Sequence, residues 1–339
     1  MVFGGPPGTG TPAEPFRPVV ECIACPMVPG AAHEHDEEME MNGPVLVTGA
    51  SGYIGGRLVE RLAALEVPVR VAGRRPQALR ERWPAIEAVG MDVFRPTTIG
   101  TATEGVRVAY YLVHSMAEGG SGFEERDRVA ARAFAETALR NGVELIVYLG
   151  GLGVEDDRLS PHLASRQETG RILSEHGPGM IEFRAGMVIG SGSASFRMLT
   201  DLVKRLPAMV TPRWVETRSQ PIAIDDVVTY LVRARDVQGE DRRTIVEIGG
   251  ADVLSYREMM QRVAAARGRR PLIVSVPVLT PRLSSLWCGL VTSVPAAIAR
   301  PLIEGLRNET VVRDDAAARL FPDVVPIGFD EAVARALRE

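Results

Sequence analysis

Thr48-Gly49-Ala50-Ser51-Gly52-Tyr53-Ile54-Gly55-Gly56 is the stretch on which the reading of this chain turns. It follows Val45-Leu46-Val47, a short apolar run of strand character, and it opens a segment in which Ile54, Leu58, Leu62 and Leu65 recur at helical spacing. Strand, glycine-rich turn, amphipathic helix is the order a dinucleotide site requires. Gly49 lets the chain leave the strand in a tight turn, Gly52 lets backbone approach a pyrophosphate, and Gly55 lets the helix sit close. The helix N-terminus then offers N–H groups and a positive dipole end to the phosphates. Gly49, Ser51, Gly52, Tyr53, Ile54 and Gly55 are accordingly the expected phosphate-binding residues.

Working outward, strands are predicted at 69–72, 86–89, 108–113, 145–149 and 180–184, with a long helix over 124–141 that stops at Asn141-Gly142. A further helix is predicted from Ser165 to Glu175. Another is expected near Phe196 to Leu206, after a loop rich in Gly and Ser. Ile222-Ala223-Ile224 and 245–248 read as further short strands. Strands that are apolar on both faces and alternate with helices predict an α/β fold, a Rossmann-type parallel sheet with helices on both faces. A smaller C-terminal substrate lobe is expected beside it. The expected boundaries are a disordered leader over 1–42, the NAD(P)-binding domain over 43–250 with parts of the lobe from about 186, and the C-terminal region over 251–339. Pro277, Pro281, Pro295 and Pro301 suggest that the last region wraps the substrate side rather than extending the sheet.

The end of the second strand tests which dinucleotide is bound. A carboxylate there grips the ribose 2′-hydroxyl of NAD. This chain instead reads Val71-Ala72-Gly73-Arg74-Arg75, and guanidinium groups suit a 2′-phosphate. NADP(H) is therefore preferred over NAD(H), the alternative being that Arg74 and Arg75 merely begin a solvated helix. Asp92 and Val93, after the third strand, are placed to meet the adenine edge, or Asp92 is a simple loop residue.

Composition narrows the function classes. A formal net charge of -4, with Arg and Lys scattered among acidic residues, gives no footprint for nucleic acid. Three cysteines are too few for a disulfide framework and fit a reducing, cytoplasmic compartment. No apolar run is long enough to span a bilayer, since Ser, Pro and Arg interrupt 283–303. The leader has Pro and Gly but no signal-peptide pattern. Its Cys22, Cys25, His33 and His35 are zinc-ligand types without a recognised finger spacing, so no metal is assigned. Met39 and Met41 stand just before the first strand, and a start at either would account for the leader equally well.

With these residues placed, the chain resembles the atypical short-chain dehydrogenase/reductase superfamily over roughly 44–250, through 48–55 and through Gln220-Pro-Ile-Ala-Ile-Asp225-Asp226. Tyr110 to Met116, Phe123 to Asp127 and Leu159-Ser-Pro-His162 resemble more narrowly its NmrA-like group, which carries a C-terminal DUF2867-type region. Residues 277–281 and 301–307 extend that likeness. The group is also similar to an NAD(P)H-binding accessory subunit of respiratory NADH–ubiquinone reductase. The resemblance implies a Ser, a Tyr and a Lys for carbonyl chemistry, and here the pattern breaks. The serine position reads Leu149-Gly150-Gly151, and YxxxK reads His162-Leu-Ala-Ser-Arg166. Arg166 retains the donors and charge to hold a ribose hydroxyl, but not the ability to shuttle protons. His162 can act as an acid, because its unperturbed pKa lies near neutrality, or it is a loop histidine. His114 and Ser115, closing the fourth strand, form a second candidate pair for nicotinamide or substrate contact. There the alternative is a buried strand end. Arg184 is expected to pair with Asp225 or Asp226, the alternative being that it faces the substrate. Glu124, Glu125 and Asp127 are expected to complement a helix dipole.

Two functions follow. One is an NADPH-dependent oxidoreductase for a small apolar carbonyl or quinone-like substrate. The other is a non-catalytic NADP(H)-binding redox sensor or accessory protein, with 283–307 either as a docking or peripheral membrane face or as part of the lobe core.

Overall fold

The computed structural model describes residues 43–113, 122–154, 159–206, 208–237, 241–276 and 293–339. Cys22, Cys25, His33, His35, His114 and Ser115, and the first part of 283–307, lie outside the described residues.

Strands β1 (Val45–Thr48), β2 (Val69–Gly73), β3 (Glu87–Gly90), β4 (Val108–Tyr111), β5 (Leu145–Gly151) and β6 (Gly179–Ala185) alternate with helices. The helices are α1 (Tyr53–Ala64), α2 (Pro76–Arg82), α3 (Pro96–Thr103), α4 (Phe123–Arg140) and α5 (Pro161–His176). Then follow β7 (Val188–Ile189), α6 (Ala194–Arg205), β8 (Ala208–Pro212), β9 (Arg218–Ser219), β10 (Ile222–Ala223) and α7 (Ile224–Ala234). The chain continues through β11 (Arg243–Ile248), β12 (Leu254–Ser255), α8 (Tyr256–Ala266), β13 (Leu272–Val276), α9 (Ala296–Gly305), α10 (Ala316–Leu320) and α11 (Phe329–Arg338).

The central sheet has the order β11-β6-β5-β4-β1-β2-β3 with every pairing parallel. This is the Rossmann-type doubly wound sheet, and its order reverses between β1 and β4, where ligands of open α/β sheets bind. Side chains alternate between two cores, as strands buried on both faces require. Val45, Val47, Val71, Tyr110, Val147 and Phe183 face α1 and α7. Leu46, Ala72, Tyr111, Ile146, Tyr148 and Met180 face α3, α4 and α5. On α1 the buried stripe is Leu58, Val59 and Leu62, each worth about 1.5–3 kcal/mol of burial, so Leu62→Ala would break this contact most directly.

A third core gathers Phe196, Leu199 and Val203 of α6, Met259 and Val263 of α8, Ile303 of α9 and Phe329 and Val333 of α11. The C-terminal stretch does not stay with this third core throughout. Phe321, just after α10, returns to the main sheet and lies with its ring centroid 5.5 Å from both Phe183 and Tyr230. A periodic sequence pattern does not reveal such a single aromatic anchor. Ile222–Ile224 divides as well: β10 stops at Ala223 and Ile224 opens α7, whose first turn holds Asp225 and Asp226.

Candidate active site

At the end of β1, Thr48 Oγ1 donates to the Tyr110 carbonyl at 2.9 Å and accepts the Leu112 N–H at 3.1 Å, which fastens β1 to β4 beneath the turn. The three motif glycines then separate by what demands them. Gly49 has φ +67°, and a Cβ there would lie 2.4 Å from the Leu112 carbonyl oxygen. A Cβ on Gly55 would lie 2.4 Å from the Gly49 oxygen. The fold itself therefore requires both. Gly52 is different: its φ of -77° suits any residue, and a Cβ would meet only the Gly49 oxygen, at 3.2 Å. The open space beside Gly52 is room for a ligand. Gly52 also caps α1, with no side-chain cap and no acidic residue in the first turn, so this end suits an anion. These residues fit a dinucleotide pyrophosphate.

Beside the turn lies a cavity of ≈ 390 Å³, lined by Gly49, Gly52, Tyr53, Ile54 and Gly55, by the ends of β4 and β5, and by His162 and Arg166 of α5. Its far wall comes from the third core, with Met187, Met198, Tyr256, Leu302, Leu306 and Thr310. Ser51 is exposed at the tip of the turn. Tyr53 projects onto the 190–192 loop, where a Cβ on Gly190 or Gly192 would come within 2.2 Å of its side chain. Two glycines of the Gly/Ser-rich segment thus admit the Tyr53 ring, and burial raises the Tyr53 pKa.

Helix α5 begins four residues before the predicted Ser165. Ser160 caps it, accepting the Leu163 N–H at 3.4 Å, and Pro161 takes the first helical position. Ser160-Pro161 is the start signal of this helix. The shift puts half-buried His162 in the first turn and Arg166 four residues on, along one face. The Arg166 guanidinium donates to the Leu149 carbonyl and lies 5.5 Å from the Tyr148 ring centroid. The Tyr148 hydroxyl donates to the Arg166 carbonyl at 2.9 Å. Burial pushes the Tyr148 pKa up to about 12 against the pull of Arg166, so it remains a protonated brace. Arg166 keeps further N–H donors for the cavity.

The serine position is filled by other groups. A Cβ on Gly151 would come 2.6 Å from Leu163 Cδ2, and one on Gly150 3.2 Å from Glu182 Oε1. Fully buried Glu182 pairs with Arg184 at 2.9 Å and with Arg243 at 2.7 Å. This overturns the expected pairing of Arg184 with Asp225 or Asp226: Arg184 and Glu182, two apart on β6, share a face. Asp225 instead meets Arg57 at 3.0 Å and Arg335 at 3.4 Å, and Asp226 accepts the Ile327 N–H at 2.9 Å. Asp127 is likewise more than a dipole partner. It is buried and accepts Ser165 Oγ at 3.3 Å, tying α4 to α5.

Arg74 and Arg75 are exposed directly after β2, with Arg75 as the cap residue of α2. Asp92 folds its own turn, accepting the Phe94 N–H at 3.0 Å and lying 3.8 Å from Arg95, beside half-buried Val93. Neither pair lines the cavity. The structure thus brings together the turn, His162 and Arg166, and places the Arg74 and Asp92 groups at the β2–β3 end of the sheet. Sequence reasoning missed Tyr148, Tyr256 and Thr310. Their partners stand far away in the chain, so no local spacing announces them.

Residues 49–178 match a family model described as NAD(P)H-binding. Over those residues the chain is similar to that NAD(P)H-binding family, and the parallel sheet described above is its setting. The whole fold is similar to that of an NADPH-dependent quinone oxidoreductase of Escherichia coli, with a TM-score of 0.68 and 16% identity over 86% of this chain and 99% of that one. Among curated proteins it is similar to a ceramide reductase of Caulobacter vibrioides, 26% identical over 76% of this chain and 82% of the relative. It is similar also to subunit 9 of the NADH dehydrogenase [ubiquinone] 1 alpha subcomplex of Arabidopsis thaliana, 23% identical over 83% of this chain and 73% of that subunit. No helix among the described residues is long and apolar enough to cross a membrane.

Proposed function

We propose that this protein is a reductase that uses NADPH in preference to NADH and acts on an apolar carbonyl or quinone-like compound. One observation carries the reading: a single cavity joins the phosphate turn, the His162–Arg166 face and the apolar third-core wall. When bound, the nicotinamide supplies a hydride. Gly49 to Gly55 and the α1 N-terminus hold the pyrophosphate. Arg74 and Arg75 grip the 2′-phosphate, and Asp92 and Val93 flank the adenine. Arg166, already braced by Leu149 and Tyr148, turns a remaining donor toward a ribose hydroxyl. His162 gives a proton to the substrate oxygen. His114 is the second candidate for contact with the reacting groups. Likeness to the quinone oxidoreductase and to the ceramide reductase supports an apolar oxygen-bearing substrate. A cytoplasmic setting accords with the low cysteine count.

A second reading is a non-catalytic sensor or accessory protein, and the filled serine position at Gly150–Gly151 favours it, as does likeness to the Arabidopsis subunit. Its partner face would include 293–307 of the segment proposed for docking. Consumption of NADPH with a panel of quinones, enones and long-chain ketones separates the two. The reductase reading expects turnover with at least one compound and loss of about a hundredfold in His162→Ala. Binding of NADPH with no turnover of any compound, and with partner affinity set by cofactor state, leaves the second reading in its place.

A further inference from the structure

Three hydroxyl groups from distant segments meet at the third-core wall of the cavity. Tyr256 is the first residue of α8, Ser219 ends β9, and Thr310 follows α9. All three are buried, with relative exposures of 6%, 0% and 6%. Thr310 Oγ1 donates to Ser219 Oγ at 2.7 Å, and both hydroxyls stand near enough to the Tyr256 phenol to pull its pKa down against burial. Each hydroxyl has one proton to give. With the Thr310 proton on Ser219, the Ser219 proton is available to the Tyr256 oxygen. That leaves the Tyr256 proton to return to Thr310 or to go to an acceptor brought into the cavity. Tyr256 and Thr310 both line the cavity, whereas Ser219 stands behind them.

The approach is kept open. Gly186 lines the cavity against this cluster, and a Cβ there would sit 3.2 Å from Thr310 Oγ1 and 3.3 Å from Ser219 Oγ. The ring is also held in place. Ser255 caps α8 with a reciprocal capping box, and Trp214 meets the Tyr256 ring edge-on at 6.5 Å. Burial raises the Tyr256 pKa against the opposing pull of Ser219 and Thr310, so the group remains a donor through the neutral range. Packing alone needs the ring, and a phenylalanine would supply it. The hydroxyl cluster adds a directed donor to an otherwise apolar wall, which is how small-molecule sites fix orientation.

We propose that Tyr256, backed by Ser219 and Thr310, donates a hydrogen bond to the carbonyl oxygen of the substrate and so selects oxygen-bearing ligands over equally apolar hydrocarbons. This rests on the apolar-carbonyl reading above and adds the residue that recognises the oxygen. The test is equilibrium binding of menadione and of 2-methylnaphthalene, the same ring system without the carbonyls, to the full chain saturated with NADP+. The wild type is expected to prefer menadione by about tenfold or more. Tyr256→Phe is expected to weaken menadione binding by about that factor, leave 2-methylnaphthalene within about twofold, and leave NADPH affinity unchanged. Thr310→Val, which keeps the Tyr256 ring and hydroxyl, should give an intermediate loss and stands in if Tyr256→Phe does not fold. No preference in the wild type, or an unchanged preference in both variants, overturns the proposal. If no carbonyl compound is reduced but the preference shifts as stated, the reductase reading falls while the recognition role of Tyr256 stands.

Discussion

Gly52→Ala should separate binding from stability in a way no other change in the turn can. At φ -77° alanine is allowed, and its Cβ meets only the Gly49 oxygen at 3.2 Å. Loss of a slightly better cap is offset by the smaller freedom of the unfolded chain, so stability should move by less than about 1 kcal/mol. The methyl would occupy the space through which backbone N–H groups reach phosphate oxygens. Each such charge-assisted bond contributes roughly 1.5–3 kcal/mol, so losing one weakens NADPH roughly 10- to 150-fold. Gly49→Ala should behave in the opposite order. It forces φ +67° on alanine and drives a Cβ to 2.4 Å from the Leu112 oxygen, with an overpacking penalty of about 1–3 kcal/mol or more. Urea unfolding and a calorimetric NADPH titration on both variants give the two numbers. If Gly52→Ala binds NADPH within about threefold of wild type, the close-approach argument for Gly52 is wrong.

Further expectations follow from other parts of the structure. Arg74→Ala with Arg75→Ala should weaken NADPH by roughly tenfold or more while leaving NADH nearly unchanged, because NADH carries no 2′-phosphate for them to hold; equal losses for both cofactors would refute the 2′-phosphate assignment. Glu182→Ala leaves Arg184 and Arg243 without their shared carboxylate and should destabilise the fold by about 3–5 kcal/mol in urea unfolding. Asp226→Asn should change how stability depends on pH. Burial, with Asp225 beside it, raises the Asp226 pKa against the hydrogen bond from the Ile327 N–H. The folded chain therefore holds this proton longer than the unfolded chain. The group's contribution to stability is greatest in acid and falls as pH rises from about 3.9, the unfolded value, through the folded pKa. Asparagine keeps an oxygen for Ile327, so the variant should gain on wild type across that window and hold the gain at neutral pH. Unfolding at pH 4 and at pH 7 measures it.

Much of the sheet was legible because its signals are local. Val45-Leu46-Val47 and the Gly49–Gly55 turn declare their roles within a dozen residues, and a strand buried on both faces can only be apolar. The start of α5 is signalled by a cap and a first-turn proline, Ser160-Pro161, rather than by apolar periodicity, and only a helix that begins there sets His162 and Arg166 on one face. Arg184 was assigned to distant carboxylates although Glu182 lay two residues away on the same face of β6. The far wall of the cavity was legible only as a C-terminal lobe, not residue by residue. Ser219, Tyr256 and Thr310 meet only after β9, α8 and the segment beyond α9 have packed, and none of the three stands in a pattern that spacing would detect. The lost serine also has its account in packing, since Leu163 and Glu182 fill the space next to Gly151 and Gly150.

The most direct test of the central claim is single-turnover transfer from NADPH carrying deuterium at both C4 positions of the nicotinamide, with an apolar α,β-unsaturated ketone as acceptor and mass spectrometry of the product. A reductase built on this cavity should deliver one deuterium to a carbon of the product for each cofactor oxidised, with the transfer slowed in His162→Ala and in Tyr256→Phe. Cofactor that binds tightly and is recovered unoxidised with both deuteriums in place, across the same ketones and quinones, would contradict it.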